Sequence, residues 1–398
     1  MDQPRVCLVS GYFDWFSGYQ ETVLAKWLGR YTNTEVVAGD RVSPIFSDEH
    51  LSRISVDRRY VPGATTRDGV TVTRFATREL RSMLWSADVR KYIASQPYDL
   101  IIQAMPGQIL PLAATLTRNH CTRVALYGDN SAMWSHLSPV PRFLKGVAFT
   151  LSKGVVYSLV NTRAQQIYGF TPDTIARLST FRAGRQMSLL PLAFDPEEFH
   201  LQETIRDSHR RDLGYAPRDK VIITAGKYQE KKRLDLLLDA FKRLAATDPD
   251  LRLLLTGLDG SPDSLRLISR IDGDADYRDR VTALGFVPTA ELNALFNAAD
   301  IGVWPRMPAI TIQQAMGTGL AVVLPRNDWV GHLLRPGTGA YFDVTNQDDS
   351  RPMQAAIASQ IANAGLGLAD RRIRAESNSW LGADRVSRSV LETAGVMA

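Results

Sequence analysis

Apolar residues in the second half of the chain fall into short runs separated by segments with helical spacing. The run VIITA at residues 221–225 ends at Gly226, and apolar residues at helical spacing follow from 234 to 244. Further apolar runs lie at 251–256, 281–287, 300–305 and 320–325. Strands and helices that alternate with short glycine-marked turns predict an open parallel α/β sheet. Ligands bind such sheets beyond the carboxyl ends of the strands.

The first half shows a similar alternation. Strands are predicted at 5–10, 35–38, 70–75, 99–104 and 123–127, and amphipathic or helical segments at 22–28, 80–93 and 109–116. Residues 141–159 are apolar with Arg142, Lys145 and Lys153 interleaved. This segment is interpreted either as a core helix with solvated lysines, which is the commoner case, or as a helix lying against an anionic membrane. Its longest apolar run, 146–160, is predicted to be too short to span a bilayer.

Bulk composition narrows the class of protein. The chain has 398 residues, which is room for two ordinary domains, and its 44% hydrophobic and 22% charged residues are typical of a globular protein. The net charge of +5 suits an anionic ligand or a lipid surface and is too diffuse to indicate nucleic acid. Cys7 and Cys121 belong to no paired motif, and no basic and apolar leader opens the sequence, so a cytoplasmic location is expected. The six histidines show no metal-ligand spacing, so no metal site is predicted.

The join between the strand at 221–225 and the following helix is basic. Lys227, Lys231, Lys232 and Arg233 lie where helix-end N–H groups and cationic side chains can converge on one anion. A diphosphate is the predicted ligand of this basic segment. The alternative is that these lysines are simply solvated in a surface loop, which is the commoner case for basic residues between a strand and a helix.

The order of motifs adds a family resemblance. The segments GKYQEKKRLDLLLDAF, LLLTG, VTALGFVPTAELNALFNAADIGVWP and IQQAMGTGLAVVLP together resemble the donor half of a family-4 glycosyltransferase with the GT-B fold. Weaker matches, including a crossover at 187–199, extend the resemblance over most of the chain. It implies an α/β protein of two Rossmann-like domains whose parallel sheets face each other across a cleft. Residues 1–200 would bind the acceptor, 201–376 the nucleotide sugar, and 377–398 would form a helix that packs back on the first domain, with the hinge at 202–220.

The resemblance also implies a donor site. Lys227 and Lys232 would neutralise the donor diphosphate and stabilise charge on the leaving group. The other family positions that match this sequence would contact the nucleotide. Two are glycines in turns, two would face the nucleobase, and three lie in a loop whose N–H groups would reach the β-phosphate. These positions are Gly226, Gly257, Phe286, Val287, Ala309, Ile310 and Thr311.

The family usually carries two glutamates seven residues apart, and this sequence departs from that pattern. Counting back from the helix IQQAMGTG places Gln314 at the second position and Arg306 at the first. Gln314 can still hydrogen-bond to ribose hydroxyls. Arg306 cannot replace an acid, so either a short gap shifts the alignment or the sugar is held differently. One hypothesis is that Arg306 recognises a phosphate or a carboxylated sugar.

Three residues of the first half are further candidates, Asp129 and His136 for catalysis or acceptor contact and Gly18 for ligand binding. Asp129 and His136 follow the strand at 123–127, where an acid–base role or contact with a sugar hydroxyl is plausible by position. Asp129 is interpreted alternatively as a helix cap and His136 as a surface residue. Gly18 follows the first strand in a loop that resembles the family's glycine loop, and it either faces a ligand or serves a tight turn.

The predicted function is therefore transfer of a sugar from a nucleoside diphosphate sugar, with UDP or GDP as the nucleotide, to a hydroxyl acceptor. The resemblance implies retention of configuration and no metal or other cofactor, with polysaccharide biosynthesis as the expected setting. The acceptor is a saccharide, a lipid-linked saccharide or a small molecule, and peripheral membrane contact would run through 141–159. Two alternatives are a transferase-like binding protein without catalysis and a nucleotide-sugar epimerase on the same fold.

Overall fold

A computed structural model describes residues 3–46, 48–80, 82–129, 131, 138–181, 187–363 and 366–397. The chain divides into two compact units, Met1–Leu192 with Ala383–Ala398, and Ala193–Gly382. The boundary thus lies before 193, and the predicted boundary at 200 and hinge at 202–220 are wrong. Phe194 and Phe199 are buried in the core of the second unit, which is why this segment belongs there. Leu381 is buried in the same core, so the second unit also extends beyond the predicted 376.

The first unit contains an eight-stranded sheet and a separate hairpin. The sheet has the order β10-β9-β8-β7-β1-β2-β4-β3, and all neighbours are parallel except β3 and β4. The strands are β1 Arg5–Ser10, β2 Asn33–Gly39, β3 Gly63–Arg67, β4 Val70–Phe75, β5 Arg78–Leu80, β6 Met83–Trp85, β7 Leu100–Ala104, β8 Thr122–Tyr127, β9 Gln166–Gly169 and β10 Met187–Leu189. The central strands β1, β7 and β8 are buried almost throughout, as expected for parallel strands covered on both faces.

Helices cover this first sheet. They are α1 Gln20–Tyr31, α2 Asp48–Arg53, α3 Ala87–Ser95, α4 Leu112–Thr115, α5 Pro139–Arg163, α6 Pro172–Leu178 and, near the carboxyl terminus, α15 Ala383–Thr393, which packs against α1. Two predicted helices are shorter than expected. Residues 80–93 begin as the hairpin β5–β6, with Ser82 at φ 62° in its turn, and Ile109 has φ 70°, which a helix cannot adopt.

Helix α5 differs most from its predicted environment. Seven large apolar side chains on it are 40% to 76% exposed, so the interpretation as a core helix is wrong for that face. The exposed residues are Val140, Phe143, Leu144, Val147, Leu151, Val155 and Leu159. The opposite face is buried in the unit through Tyr157 and Val160. The 21 residues Phe143–Arg163 are long and apolar enough to cross a membrane by length and composition, which corrects the expectation that the run is too short.

The second unit is a doubly wound parallel sheet of order β13-β12-β11-β14-β15-β16. Its strands are β11 Lys220–Thr224, β12 Leu251–Thr256, β13 Val281–Leu284, β14 Ile301–Val303, β15 Ala321–Pro325 and β16 Gly339–Phe342. Its helices are α7 Arg206–Asp212, α8 Leu234–Ala245, α9 Pro262–Asp272, α10 Ala275–Arg278, α11 Thr289–Ala298, α12 Ile310–Gly317, α13 Arg351–Asn363 and α14 Leu368–Asn378.

Strand order reverses between β11 and β14, the strands next to each other at the middle of this second sheet. The apolar residues of α8 that the sequence spaces at helical intervals pack on the sheet, and Leu237, Leu238 and Phe241 are fully buried. Ligands bind doubly wound sheets at such a reversal, beyond the carboxyl ends of the strands. The ends of β11 and β14 are therefore the place to look for a site.

Candidate functional site

Two glycines bring the ends of β11 and β12 into close contact. Gly226 has φ 110° and Gly257 has φ 93°, a region that favours glycine. A Cβ on Gly257 would lie 2.6 Å from the carbonyl carbon of Gly226, so no side chain fits there. The Tyr228 N–H donates to the Gly257 carbonyl at 3.0 Å and closes the turn. The predicted glycines thus form one backbone structure at the carboxyl edge of the sheet.

Trp304 holds the start of α12 against this turn. Its indole Nε1 donates to the Ala225 carbonyl and lies at hydrogen-bond distance from Thr311 Oγ1, at 3.1 Å in both cases. The Thr311 hydroxyl in turn donates to the same Ala225 carbonyl at 2.9 Å. Both side chains are buried. The first turn of α12 is therefore fixed at the end of β11, a contact that the sequence does not predict.

Lys232 and Thr311 face the same point above Gly226. A Cβ placed on Gly226 would be 3.3 Å from Lys232 Nζ and 3.3 Å from Thr311 Oγ1. Burial, and then the charges of Lys231 and Lys227, lower the pKa of Lys232 to about 8. Since a cation buried beside other cations is stabilised by a negative ligand, this point is suited to an anion.

The start of α12 adds to the positive potential at this point. The first-turn N–H groups of a helix have no acceptors within the helix and carry a partial positive charge. Ala309 is the N-cap and Ile310 the first helical residue, and the first turn contains no acidic side chain. Thr311, Lys232 and the helix start thus form one cationic site with hydrogen-bond donors, which we call the anion site.

Lys227 lies at the edge of the anion site. Its side chain is half exposed, and its Nζ is 3.7 Å from Asp259 Oδ2. Burial acts to raise the pKa of Asp259, but hydrogen bonds from Ser261 and Ser264 and the charge of Lys227 outweigh it and lower that pKa. Lys227 and Lys232 act on each other electrostatically, so the two predicted cations share one region. Their catalytic role remains a prediction.

Arg306 and Gln314 occupy different surroundings. Arg306 Nη2 donates to Gln347 Oε1 at 2.9 Å, and the Gln347 carbonyl accepts from Arg233 Nη1 at 2.8 Å. Gln314 is buried in α12. Arg306 therefore has a polar anchor on Gln347. A ligand contact of Arg306 and a contact between Gln314 and ribose both remain predictions.

The two residues predicted to meet the nucleobase follow β13. Phe286 is 62% exposed, while Val287 is partly buried and packs against the core of the second unit. Gly257 N–H donates to the Gly285 carbonyl at 2.9 Å, which places this segment beside the glycine turns. An exposed aromatic ring next to the anion site is compatible with stacking on a base.

In the first unit, Asp129 lies just beyond the end of β8 and is held by two residues of α5. Lys153 Nζ donates to its Oδ1 at 2.8 Å, and the Tyr157 hydroxyl donates to its Oδ2. Burial, and then the charge of Asp129, raise the pKa of Tyr157 well above its ordinary value. A Cβ on Gly107 would lie 2.6 Å from the Tyr157 hydroxyl, so the end of β7 joins the same cluster. The sequence does not reveal Lys153 and Tyr157 as partners of Asp129, although their spacing of four residues places them on one helix face.

Gly18 and His136 are the other two candidates in the first part of the chain, and the structure supports a ligand role for neither. Gly18 has φ 61°, and a Cβ there would meet nothing within 4 Å, so the turn before α1 alone explains the glycine. His136 lies outside the described residues. Within the described ranges, no three His, Cys, Asp or Glu side chains lie close enough to hold a metal ion. Metal independence stays a prediction.

The anion site lies within a segment that matches a known family profile. The family profile described as "Glycosyl transferases group 1" matches residues 219–363, which include the glycine turns, Lys232 and α12. Residues 219–363 are thus similar to the domains of this family. The family resemblance seen in the sequence is thereby confirmed.

Curated relatives match over less than half of their length. The D-inositol 3-phosphate glycosyltransferase of Rhodococcus opacus (strain B4) is 30% identical over 186 residues, covering 44% of this chain and 41% of the relative. The phosphatidyl-myo-inositol mannosyltransferase of Mycolicibacterium smegmatis is 29% identical over 150 residues, covering 36% of each protein. Part of this chain is thus similar to part of proteins that are named as sugar transferases.

Solved structures match over the whole chain. The sucrose-phosphate synthase of Thermosynechococcus elongatus gives a TM-score of 0.70 at 15% identity over 98% of both proteins. Anabaena HepE in complex with UDP gives 0.70 at 18% identity, over 99% of this chain and 100% of that one. WaaG, a glycosyltransferase involved in lipopolysaccharide biosynthesis, gives 0.66 at 12% identity over 98% and 99%. The predicted GT-B fold around residues 219–363 is confirmed.

Proposed function

We propose that the protein is a glycosyltransferase that moves a sugar from a nucleoside diphosphate sugar to a hydroxyl acceptor. The observation that carries the proposal is the anion site within residues 219–363, where Lys232, Thr311 and the start of α12 surround Gly226. Support comes from the curated relatives, which are named as glycosyltransferases, and from HepE, which has been solved with UDP-glucose. UDP and GDP are the candidate nucleotides.

The proposed chemistry follows from the charge of the site. The bond between the sugar and the β-phosphate oxygen breaks, and a bond from the sugar to the acceptor oxygen forms. Negative charge then grows on the leaving diphosphate, where Lys232 and the first-turn N–H groups of α12 stabilise it. The leaving phosphate takes the acceptor proton. Lys227 adds positive potential from the edge of the site.

Retention of configuration by a front-face route is the stereochemical proposal. Arg306 and Gln314 stand where the family resemblance leads one to expect glutamates, and neither side chain is a carboxylate nucleophile. The attacking hydroxyl would therefore approach from the side of the leaving diphosphate. No metal is invoked, because lysines and helix N–H groups already meet the diphosphate charge.

The acceptor is proposed to bind the first unit. Asp129 lies at the carboxyl end of β8, where its carboxylate can accept a hydrogen bond from an acceptor hydroxyl. Because Lys153 pairs with Asp129, the cluster is close to neutral and suits an uncharged hydroxyl. A saccharide, a lipid-linked saccharide and a small molecule are the candidate acceptors.

Peripheral contact with a membrane is proposed for α5. The helix carries no Asp or Glu, and its exposed face is apolar. At 25 residues it is about 37 Å long. Because Tyr157 and Val160 pack in the unit, lipid cannot surround the helix, so it would lie in the interface of an anionic bilayer and not cross it. A cytoplasmic protein at the inner face of the membrane fits this proposal.

Vesicle binding tests the membrane contact. Wild-type protein is expected to bind vesicles of phosphatidylglycerol and phosphatidylcholine better than vesicles of phosphatidylcholine alone, because α5 is free of acids. Leu151→Glu should weaken binding at least about tenfold, since a charge replaces an inserted side chain. Leu265→Glu, at an exposed leucine of the second unit, is the matched control and should change nothing. Equal binding by the two variants would refute the contact.

Incubation with labelled nucleotide sugars tests the enzyme proposal against its alternatives. Label transferred to an added acceptor supports a glycosyltransferase. An epimerised donor without transfer indicates an epimerase. Nucleotide binding without turnover, measured by calorimetry, indicates a binding protein. The variant Lys232→Met should abolish transfer if the anion site holds the leaving group.

A further inference from the structure

Lys232 differs from other lysines of the second unit in the charges around it. Lys220, for example, pairs with Asp248 at 2.8 Å. Among the residues that the structure describes, the charges that act on Lys232 are those of Lys231 and Lys227, and both are positive. Burial and these two charges lower the pKa of Lys232 to about 8, so a sizeable fraction of its amine is neutral near that pH. A neutral amine is a nucleophile.

The amine of Lys232 lies beside a place that suits a phosphate group. A Cβ on Gly226 would be 3.3 Å from Lys232 Nζ and 3.3 Å from Thr311 Oγ1. The main-chain N–H groups of Ile310 and Thr311 belong to the first turn of α12 and have no acceptor within the helix. Such N–H groups bind phosphate. A phosphate at this helix start is therefore a neighbour of the Lys232 amine.

The same place has room for a small solute. Gly226, with φ 110°, puts no side chain there. Lys232 is only partly buried, so its amine can be reached from solvent. The anion site thus combines a phosphate-binding backbone with a nucleophile that has no acidic partner among the described residues. A reagent that carries a phosphate next to an electrophilic carbon fits both features.

We propose that Lys232 is acylated by small acyl phosphates. The phosphate end of the reagent binds at the start of α12, which brings its carbonyl carbon, one oxygen away from the phosphorus, to the amine of Lys232. The neutral amine forms a bond to this carbon, and the bond from the carbon to the phosphate oxygen breaks. The departing phosphate takes the amine proton, so the products are an amide on Lys232 and inorganic phosphate. No oxidant or reductant takes part.

Acylation and nucleotide binding exclude each other at this lysine. The amide carries no charge, so an acylated Lys232 no longer attracts a diphosphate. A bound diphosphate in turn occupies the place that the reagent needs. The modification therefore switches off the anion site when acyl phosphates are abundant and the nucleotide is scarce. The reaction goes beyond the proposed function, because it needs the anion site and no sugar transfer.

Mass spectrometry of the full chain treated with acetyl phosphate tests this inference. Lys232 is expected to be acetylated at least about tenfold faster than Lys220, because a bound reagent has a high effective concentration. Pyrophosphate should slow acetylation of Lys232 and leave that of Lys220 unchanged. The N-hydroxysuccinimide ester of acetic acid has no phosphate and should prefer Lys232 less. Equal rates at the two lysines, no protection by pyrophosphate, or the same preference with both reagents would overturn the inference.

A variant that keeps the cation links acetylation to nucleotide binding. Acetyl phosphate should weaken the binding of UDP or GDP to the wild type at least about tenfold, as loss of a charged hydrogen bond predicts. Lys232→Arg keeps a cation that is not acylated, so the same treatment should leave its affinity unchanged. Lys220→Arg is the matched control and should respond like the wild type. Equal losses in the wild type and Lys232→Arg would assign the effect to another lysine and overturn the inference. If neither nucleotide binds the untreated protein, the proposed function fails, and the acetylation rates alone decide this inference.

Discussion

Lys153 in the first unit and Lys232 in the second both lie beyond the carboxyl ends of strands, and they differ in what surrounds them. Lys153 in the first unit lies 2.8 Å from Asp129, so its charge is balanced within the protein. Lys232 in the second unit lies beside Lys231 and Lys227, and burial lowers its pKa to about 8. The first lysine stabilises a protein carboxylate, while the second is suited to a charge that the ligand brings. This difference supports the proposal that the first unit binds the acceptor and the second unit binds the donor.

Substitution of Gly257 is expected to have the largest effect on the donor side. In Gly257→Ala the new Cβ would meet the backbone of Gly226 at 2.6 Å, and the φ of 93° is unfavourable for alanine. The free energy of unfolding should fall by about 2 kcal/mol or more, and nucleotide affinity should fall with it. Urea unfolding and calorimetry measure the two quantities. Gly260→Ala, where a Cβ meets nothing within 4 Å, should match wild type, and equal behaviour of both variants would contradict the prediction.

Lys232→Met tests the difference between Lys232 and Lys153, because it should weaken nucleotide binding without lowering the stability of the free protein. Affinity for UDP or GDP is expected to fall about 10- to 100-fold, the value of a hydrogen bond to a charged group. Without ligand, the variant should be at least as stable as wild type near pH 7, since desolvation and the neighbouring lysines disfavour the charged form of Lys232 in the folded state. Lys220→Met, at the other end of β11 where the lysine pairs with Asp248, is the control and should keep full affinity.

The pH dependence of binding follows from the same lysine. The pKa of Lys232 is about 8 in the folded protein and has an ordinary value of 10.5. Between these values the unfolded state binds the extra proton, so this group makes stability rise with pH in that window. Nucleotide affinity should fall as the pH rises through about 8, because the free site loses its charge. Calorimetry from about pH 7 to about pH 9.5, which brackets that pKa, checks this, and an identical profile in Lys232→Met would assign the titration to another group.

Asp129→Asn is expected to have the smallest effect, confined to the first unit. Loss of the carboxylate leaves Lys153 without its ion partner and should lower the free energy of unfolding by about 1 kcal/mol or less, because both side chains are partly exposed. Nucleotide affinity should be unchanged, while the rate of transfer to the acceptor should fall. Tyr157→Phe, which removes only the second donor to Asp129, should show a milder form of both effects. A change in nucleotide affinity would remove the distinction between the two units.

Much of the second unit is predictable because its signals are local. Strand β11, the helical spacing of α8 and the glycine turns are contiguous in the sequence, and the lysines between them follow directly. The contacts of Trp304 are not predictable, since Ala225 is 79 residues away. The partners of Asp129 also escape prediction, because Lys153 and Tyr157 are 24 and 28 residues further along the sequence.

Helix α5 shows a different limit of sequence reasoning. The periodicity of 141–159 predicts a helix, and the helix is present as Pro139–Arg163. Periodicity does not tell which face a neighbouring element covers, so an apolar face is assigned to the core by default. The edge strand β3 escapes prediction for a related reason. All five of its residues, GATTR, are exposed and lack the apolar alternation of a half-buried strand.

The indole of Trp304 has a consequence for which parts of the anion site can vary among related proteins. Because it links the end of β11 to the first turn of α12, the backbone around the anion site is held in place by contacts within the protein. Other side chains of this region, such as Arg306, take no part in the hydrogen bonds of Trp304. Replacements there can change the charge at the margin of the anion site while these hydrogen bonds keep its backbone in place.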